Sequence, residues 1–102
     1  MCVVVAGVAR VDSGSAAAYR VAFTAPAAVG ARANLSLWAS TDALTWTAPL
    51  ISVWPGPAAY SDILPLNATH MGILFESSSD AAPTEFAGGI RFIAVKKSLL
   101  WV

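Results

Sequence analysis

Apolar positions in this chain recur at every second residue, in short runs separated by small and turn-forming residues. That is the period of a half-buried β-strand, whose side chains alternate between two faces. Residues 2–11 are small and β-branched and end in Arg10-Val11-Asp12-Ser13-Gly14, which predicts a strand and then a turn. Tyr19-Arg20-Val21-Ala22-Phe23-Thr24 alternates until Pro26 ends it, and residues 27–31 make a loop of small residues. Ala33-Asn34-Leu35-Ser36-Leu37-Trp38-Ala39-Ser40 alternates again, with Leu35 and Leu37 on one face and Ser36 and Trp38 on the other. After a turn over residues 41–44, a fourth strand is expected over 46–53; Pro49 interrupts it and suits an edge. Pro55-Gly56-Pro57 predicts a turn, followed by shorter strands over 59–64, 71–75 and 89–95, with a polar loop over 77–87. No capped segment of helical period appears before the tail at 96–102, which fits a strand end or a short helix. Four strands and then three, with turns roughly every ten residues, fit an all-β sandwich or pieces of a propeller.

Composition narrows this further. A chain of 102 residues holds at most one small domain with a thin core. Hydrophobic residues make up 57% and charged residues only 12%, about half the usual charged share, which suits strands packed on both faces. Net charge is zero, which gives no reason to expect nucleic acid as a partner. The apolar run over residues 1–9 stops at Arg10, too short to span a bilayer and without the flanks of a signal peptide. Cys2 is the single cysteine and forms no internal disulfide. Asn34-Leu35-Ser36 and Asn67-Ala68-Thr69 are sequons, which act as glycan acceptors only in a secretory context. His70 lies in a turn with no second histidine or cysteine cluster, so no metal or other cofactor is expected and the side chain is expected at the surface.

The sequence is most informative between Trp54 and Glu76. There Trp-Pro-Gly-Pro-Ala-Ala-Tyr-Ser-Asp, residues 54–62, is followed by Gly72-Ile73-Leu74-Phe75-Glu76. Upstream, Ser40-Thr41-Asp42-Ala43-Leu44-Thr45-Trp46 has the makings of a turn in which serine and aspartate side chains bond the backbone and tryptophan packs beneath. Taken together, these segments resemble the C-terminal part of the exo-α-sialidases (neuraminidases). The Ser40–Trp46 segment is similar to the family's Asp-box, with Ser40, Asp42, Thr45 and Trp46 in its structural positions. It departs from the pattern in lacking the usual glycine and in a turn one residue short. Phe23-Thr24-Ala25-Pro26-Ala27 resembles the family's F-S-x-P-A strand end, Arg32-Ala33-Asn34-Leu35-Ser36 its R-x-N-L/M-S/T segment, and Gly89-Ile90-Arg91-Phe92 its closing strand. The likeness runs from about Val8 to Val95.

The resemblance implies antiparallel four-stranded meander blades, about one and three-quarter blades of a six-bladed β-propeller. A first blade is expected over about 3–53 and an incomplete second over about 58–97. It implies Tyr60 as catalytic nucleophile, Arg32 as an arginine that binds the substrate carboxylate, and Glu76 as a residue orienting another arginine of the triad. The implied substrate is a sialylated glycoconjugate, and the implied setting secretory or lysosomal.

Strand parity tests whether these residues can meet. In a meander the chain reverses at each turn, so the starts of the first and third strands lie at the end where the second finishes. Arg32 precedes a third strand, Tyr60 opens the first strand of the second set, and Glu76 closes the next. All three belong at one end, with the Asp-box turn at the other. A hairpin centred near Ala68 also sets Tyr60 opposite Glu76, on one face.

The chemistry is coherent. Arginine offers a planar fork that grips a carboxylate bidentately. A carboxylate nucleophile would be repelled by the carboxylate of sialic acid, whereas a phenol is neutral until a base takes its proton; sialidases are known exceptions to the two-carboxylate rule. With an unperturbed pKa near ~10, tyrosine needs such a base. Nothing in the chain matches the family's R-I-P arginine, its aspartate acid/base, its second arginine or the glutamate that activates the tyrosine. Each of these contributions matters by orders of magnitude, so the isolated chain is expected to be inactive. Missing propeller blades, or self-association through open sheet edges, are expected to complete it. Outside the resemblance, Tyr60 is ordinary core or interface material and Arg32 and Glu76 ordinary surface charges. That leaves a non-catalytic carbohydrate-binding or scaffold module as the alternative. Ser61 and Asp62 are expected to be structural partners.

Overall fold

The computed structural model describes residues 6–12, 19–46, 48–78 and 89–101. The expected N-terminal strand residues 2–5, the turn at Ser13-Gly14 and most of the 77–87 loop lie outside the described residues. Six strands form: β1 (Gly7–Asp12), β2 (Tyr19–Pro26), β3 (Ala33–Ser40), β4 (Ile51–Pro65), β5 (His70–Ser77) and β6 (Ile90–Lys96). A 3-10 turn, Lys97–Trp101, follows. Each strand pairs antiparallel with the next in the order β1-β2-β3-β4-β5-β6. The fold is therefore all-β, an antiparallel meander curled into a half-barrel and consistent with propeller-like blades.

β4 produces the curl. The separate strands expected over 46–53 and 59–64 are one 15-residue strand, and Pro55-Gly56-Pro57 lies inside it. Its first part pairs with β3, from Leu37↔Ile51 to Ala33↔Pro57, with register shifts on either side of Leu35. Its second part pairs with β5, from Ala58↔Ser77 to Pro65↔Met71. Prolines cannot donate to a ladder, and bulged registers are where a sheet tolerates them. Here they bend the strand as it passes from one neighbour to the other, which is how strands turn corners between packed sheets. Pro49 lies before the strand, and Trp46 belongs to the preceding turn.

The bend lays the β4–β5–β6 half over β1 and β2, and the core fills the space between. Val11, Ala22, Leu35 and Leu37 from one layer meet Ile63, Met71, Ile73, Phe75 and Val95 from the other, with Leu100 of the 3-10 turn closing one side. The second layer alternates as its sequence predicts: Ser61 and Ile63 are buried, whereas Tyr60, Asp62 and Leu64 are exposed. Two hydroxyls also cross the interior. Ser61 Oγ lies 2.9 Å from Thr24 Oγ1 and donates to the Thr24 carbonyl at 3.2 Å. Ser61 therefore bonds across the layers and not to Asp62, whose carboxylate faces outward and accepts the Ile63 N–H at 2.9 Å. Neighbours on a strand point to opposite faces, which is why the expected Ser61–Asp62 partnership does not form.

Candidate functional site

Arg32, Tyr60 and Glu76 come from three separate segments and meet at one rim of the half-barrel. Arg32 closes the β2–β3 connection, whose hairpin is tied by Ala27 N–H to Asn34 O at 2.9 Å and Ala28 N–H to Ala33 O at 3.1 Å. Its own carbonyl accepts the Ala58 N–H at 2.9 Å, which pins the loop to β4 just past the bend. Two residues on, Tyr60 presents its ring to the guanidinium, whose central carbon lies 5.6 Å from the ring centroid. That is within the range of a cation–π contact.

Glu76 enters through a gap in the ladder. The β4–β5 register runs Ala58↔Ser77 and then Ser61↔Phe75, so one residue too many lies on β4 between these pairs. An extra residue in a bulge leaves a backbone N–H without a ladder partner. The Tyr60 N–H takes the Glu76 carboxylate instead, Oε1 accepting at 3.2 Å. Beyond the bulge the hairpin pairs about Ala68, the expected centre, but the register shift leaves Tyr60 and Glu76 outside the β4–β5 ladder pairs instead of directly opposed. Tyr60 remains 45% exposed. The rim thus carries a phenol with a cation on its face and a carboxylate holding its backbone. The Glu76 contact in this chain is with Tyr60.

The Asp-box-like turn lies at the opposite end of β3. Ser40 Oγ accepts the N–H groups of Asp42 at 3.3 Å and Ala43 at 3.0 Å and donates to Asp42 Oδ1 at 3.0 Å. Asp42 Oδ1 accepts from Leu44 N at 2.9 Å and Thr45 N at 2.8 Å, and its Oδ2 accepts the Thr45 hydroxyl at 3.2 Å. Donors directed at the charged form favour it. The Thr45 N–H foremost, then the Leu44 N–H and the Ser40 hydroxyl, hold the Asp42 pKa down at about 2. Trp46 Nε1 donates to Ala43 O at 3.1 Å, and its ring packs 5.9 Å from Phe23, which in turn lies 5.4 Å from Trp38. The side chains of Ser40, Asp42, Thr45 and Trp46 are all engaged in closing this turn.

His70 differs from expectation. It opens β5 half-buried, its Nδ1 2.7 Å from the Thr69 hydroxyl. The Asn67 side chain organises this turn by accepting from Thr69 and His70, and the histidine is drawn in with it. Among the described residues, no group of three or more His, Cys, Asp or Glu side chains is arranged to hold a metal ion. Among the same residues, no helix is long and apolar enough to cross a membrane.

A second arrangement near this rim was not legible from the motifs. Arg91, opposite Phe75 on β6, stacks its guanidinium 4.3 Å from the Trp54 ring and donates from Nε to Ser77 Oγ at 2.9 Å. Trp54 also packs 6.1 Å from Phe75, and its Nε1 is buried without an acceptor. The available signal was an arginine in phase with Ile93 and Val95, the inward side of its strand. In comparisons with known proteins, no family model and no curated protein matches this chain.

Proposed function

We propose that this chain carries part of an exo-α-sialidase site, the part that grips the substrate carboxylate and bears the tyrosine nucleophile, in a catalytic domain that needs further residues to work. The observation that carries the reading is the convergence of Arg32, Tyr60 and Glu76 at one rim, with the guanidinium 5.6 Å from the phenol ring and the carboxylate 3.2 Å from the Tyr60 nitrogen. In it, Arg32 meets the carboxylate of a terminal sialic acid through its planar fork. Tyr60 attacks the anomeric carbon once a base supplied by the rest of the domain removes its proton. Glu76 fixes the bulged backbone from which Tyr60 projects. A non-catalytic module that holds an anionic sugar through Arg32 is the second reading. In its favour, the Glu76 carboxylate bonds the tyrosine's backbone N–H, where it does not serve as a base for the phenol.

Titration of the purified chain with a methyl α-sialoside, followed by ligand-observed NMR, tests the shared element. Binding is expected to be weak, to be lost in Arg32→Ala, and to be absent for a neutral methyl galactoside. Equal binding of both sugars, or binding indifferent to Arg32→Ala, would refute both readings. A fluorogenic sialoside is expected to survive the isolated chain; its hydrolysis would overturn the need for further residues. In a longer product containing these residues, hydrolysis abolished by Tyr60→Phe supports the enzyme, and binding without hydrolysis supports the module.

A further inference from the structure

The two sequons of this chain have opposite surroundings, and the difference selects between them. Asn34 sits in β3 at φ 59°, half-buried, its Oδ1 accepting the Ser52 hydroxyl at 2.6 Å. The hydroxyl of its sequon, Ser36, is 2% exposed and is turned back onto the Asn34 carbonyl at 3.1 Å. Asn34 is enclosed by the β3–β4 ladder, between the pairs Ala33↔Pro57 and Leu35↔Trp54 where the register shifts, so a sugar there would displace the Ser52 bond.

Asn67 is the reverse case. It lies at the tip of the β4–β5 hairpin, where Leu66, Asn67, Ala68 and Thr69 are all exposed. Its Oδ1 accepts the Thr69 N–H at 2.9 Å, the Thr69 hydroxyl at 3.0 Å and the His70 N–H at 2.9 Å. Those bonds form an Asx-turn that uses the carbonyl side of the amide and leaves Nδ2 outside the turn. The backbone below is tied down as well: Leu66 N and Asn67 N both reach His70 O, at 3.1 and 3.3 Å, and Thr69 O accepts from Lys97 N at 2.8 Å. The loop therefore holds an accessible amide nitrogen, with the sequon hydroxyl 3.0 Å from the oxygen of the same amide.

We propose that Asn67, and not Asn34, is the N-glycan acceptor of this chain when it passes through a secretory membrane system. The donor is an oligosaccharide carried on a lipid diphosphate. Asn67 Nδ2 forms a C–N bond to its anomeric carbon, the bond from that carbon to the diphosphate breaks, and the lipid diphosphate leaves with the electron pair. The displaced amide proton goes to a base of the transferase. Asn-x-Thr at an exposed loop is the acceptor pattern this chemistry uses. The glycan leaves the rim open, because the five β4 residues that follow Tyr60, at ~3.3 Å each, separate the turn that bears Asn67 from it by ~16 Å. The assignment is independent of the sialidase reading.

The test is site mapping on the full chain secreted from eukaryotic cells behind a cleavable leader. Enzymatic release of N-glycans in heavy-oxygen water converts each occupied asparagine to a labelled aspartate, which peptide mass spectrometry locates. Label at Asn67 alone is expected. Label at Asn34, at both positions, or at neither in the secreted protein would overturn the assignment. Thr69→Ser, which keeps the hydroxyl, is expected to retain the glycan, and Thr69→Ala to lose it. A glycan that survives Thr69→Ala would count against the proposal equally. The wild-type map alone decides the site, so the outcome does not depend on any variant folding.

Discussion

At the scale of single residues, Asp42 shows how a short turn converts charge into structure. Four donors surround its carboxylate: the Thr45 and Leu44 N–H groups and the Ser40 and Thr45 hydroxyls. They lower its pKa from 3.8 to about 2. In the unfolded chain the group titrates near ~3.9, so the folded form takes up its proton less readily. The contribution to stability is then complete above about pH 4, declines as pH falls through the interval to about 2, and is absent below it. Melting temperatures followed from about pH 5 to pH 2 should fall more steeply for the wild type than for Asp42→Asn, which starts lower and lacks the titrating group. Parallel profiles would show that the carboxylate does not close this turn. The turn was legible in the sequence because its bonds join residues two or three apart, and local chemistry decides them. His70 was misjudged for a related reason: its turn is local, but its partial burial follows from where β5 begins.

At the scale of elements, legibility followed the same division. β3 occupies Ala33–Ser40, the span that alternation predicts, although its register to β4 shifts on either side of Leu35. β4 was divided in two because Pro55-Gly56-Pro57 has every local mark of a turn, while its conformation is set by ladders to two different strands. Arg91 was missed as a packing residue because its partner Trp54 lies on the far side of that bend. The connection between β3 and β4 also carries a local misfit. Ala43 adopts φ 62°. A left-handed conformation costs an L-residue ~1–2 kcal/mol, while a glycine there costs ~0.4–1 kcal/mol in added freedom of the unfolded chain. Ala43→Gly should therefore stabilise the protein, by about 0.5–1 kcal/mol in denaturant unfolding. Its backbone bonds to Ser40 Oγ and Trp46 Nε1 need no side chain and should persist. A loss of stability would mean that the turn relaxes Ala43 out of this conformation.

At the scale of the whole molecule, strand parity named the right segments on a premise that the fold does not keep, a chain reversal at Pro55-Gly56-Pro57. In the uninterrupted β4 no reversal occurs there; the β2–β3 loop and the end of β5 meet because β4 runs on past β3, so that Ala33 pairs with Pro57 and Ser77 with Ala58. Parity does not reveal how closely the two layers approach, and that distance is set at Gly7. It pairs with Thr24 in β1–β2, beneath the crossing of β4. A Cβ built there would lie 2.7 Å from Thr24 Oγ1 and 2.9 Å from the Cα of Asp62. The second neighbour is backbone, so no rotamer change relieves the clash, and Gly7→Ala must lift β4 away from β1. The lift would strain the Ser61–Thr24 hydroxyl pair and loosen the core around Ile63. Overpacking of this kind typically costs ~1–3 kcal/mol, which in a domain of this size lowers the melting temperature by about 4–8 °C per kcal/mol. Gly30→Ala is the control: Gly30 has open space around it, so its φ of 71° alone sets the cost. Amide exchange at Ser61 and Ile63 should accelerate in Gly7→Ala and stay unchanged in Gly30→Ala. If exchange at those amides is unaffected by Gly7→Ala, the layers do not meet backbone to backbone at this crossing, and the half-barrel is more open than its topology requires.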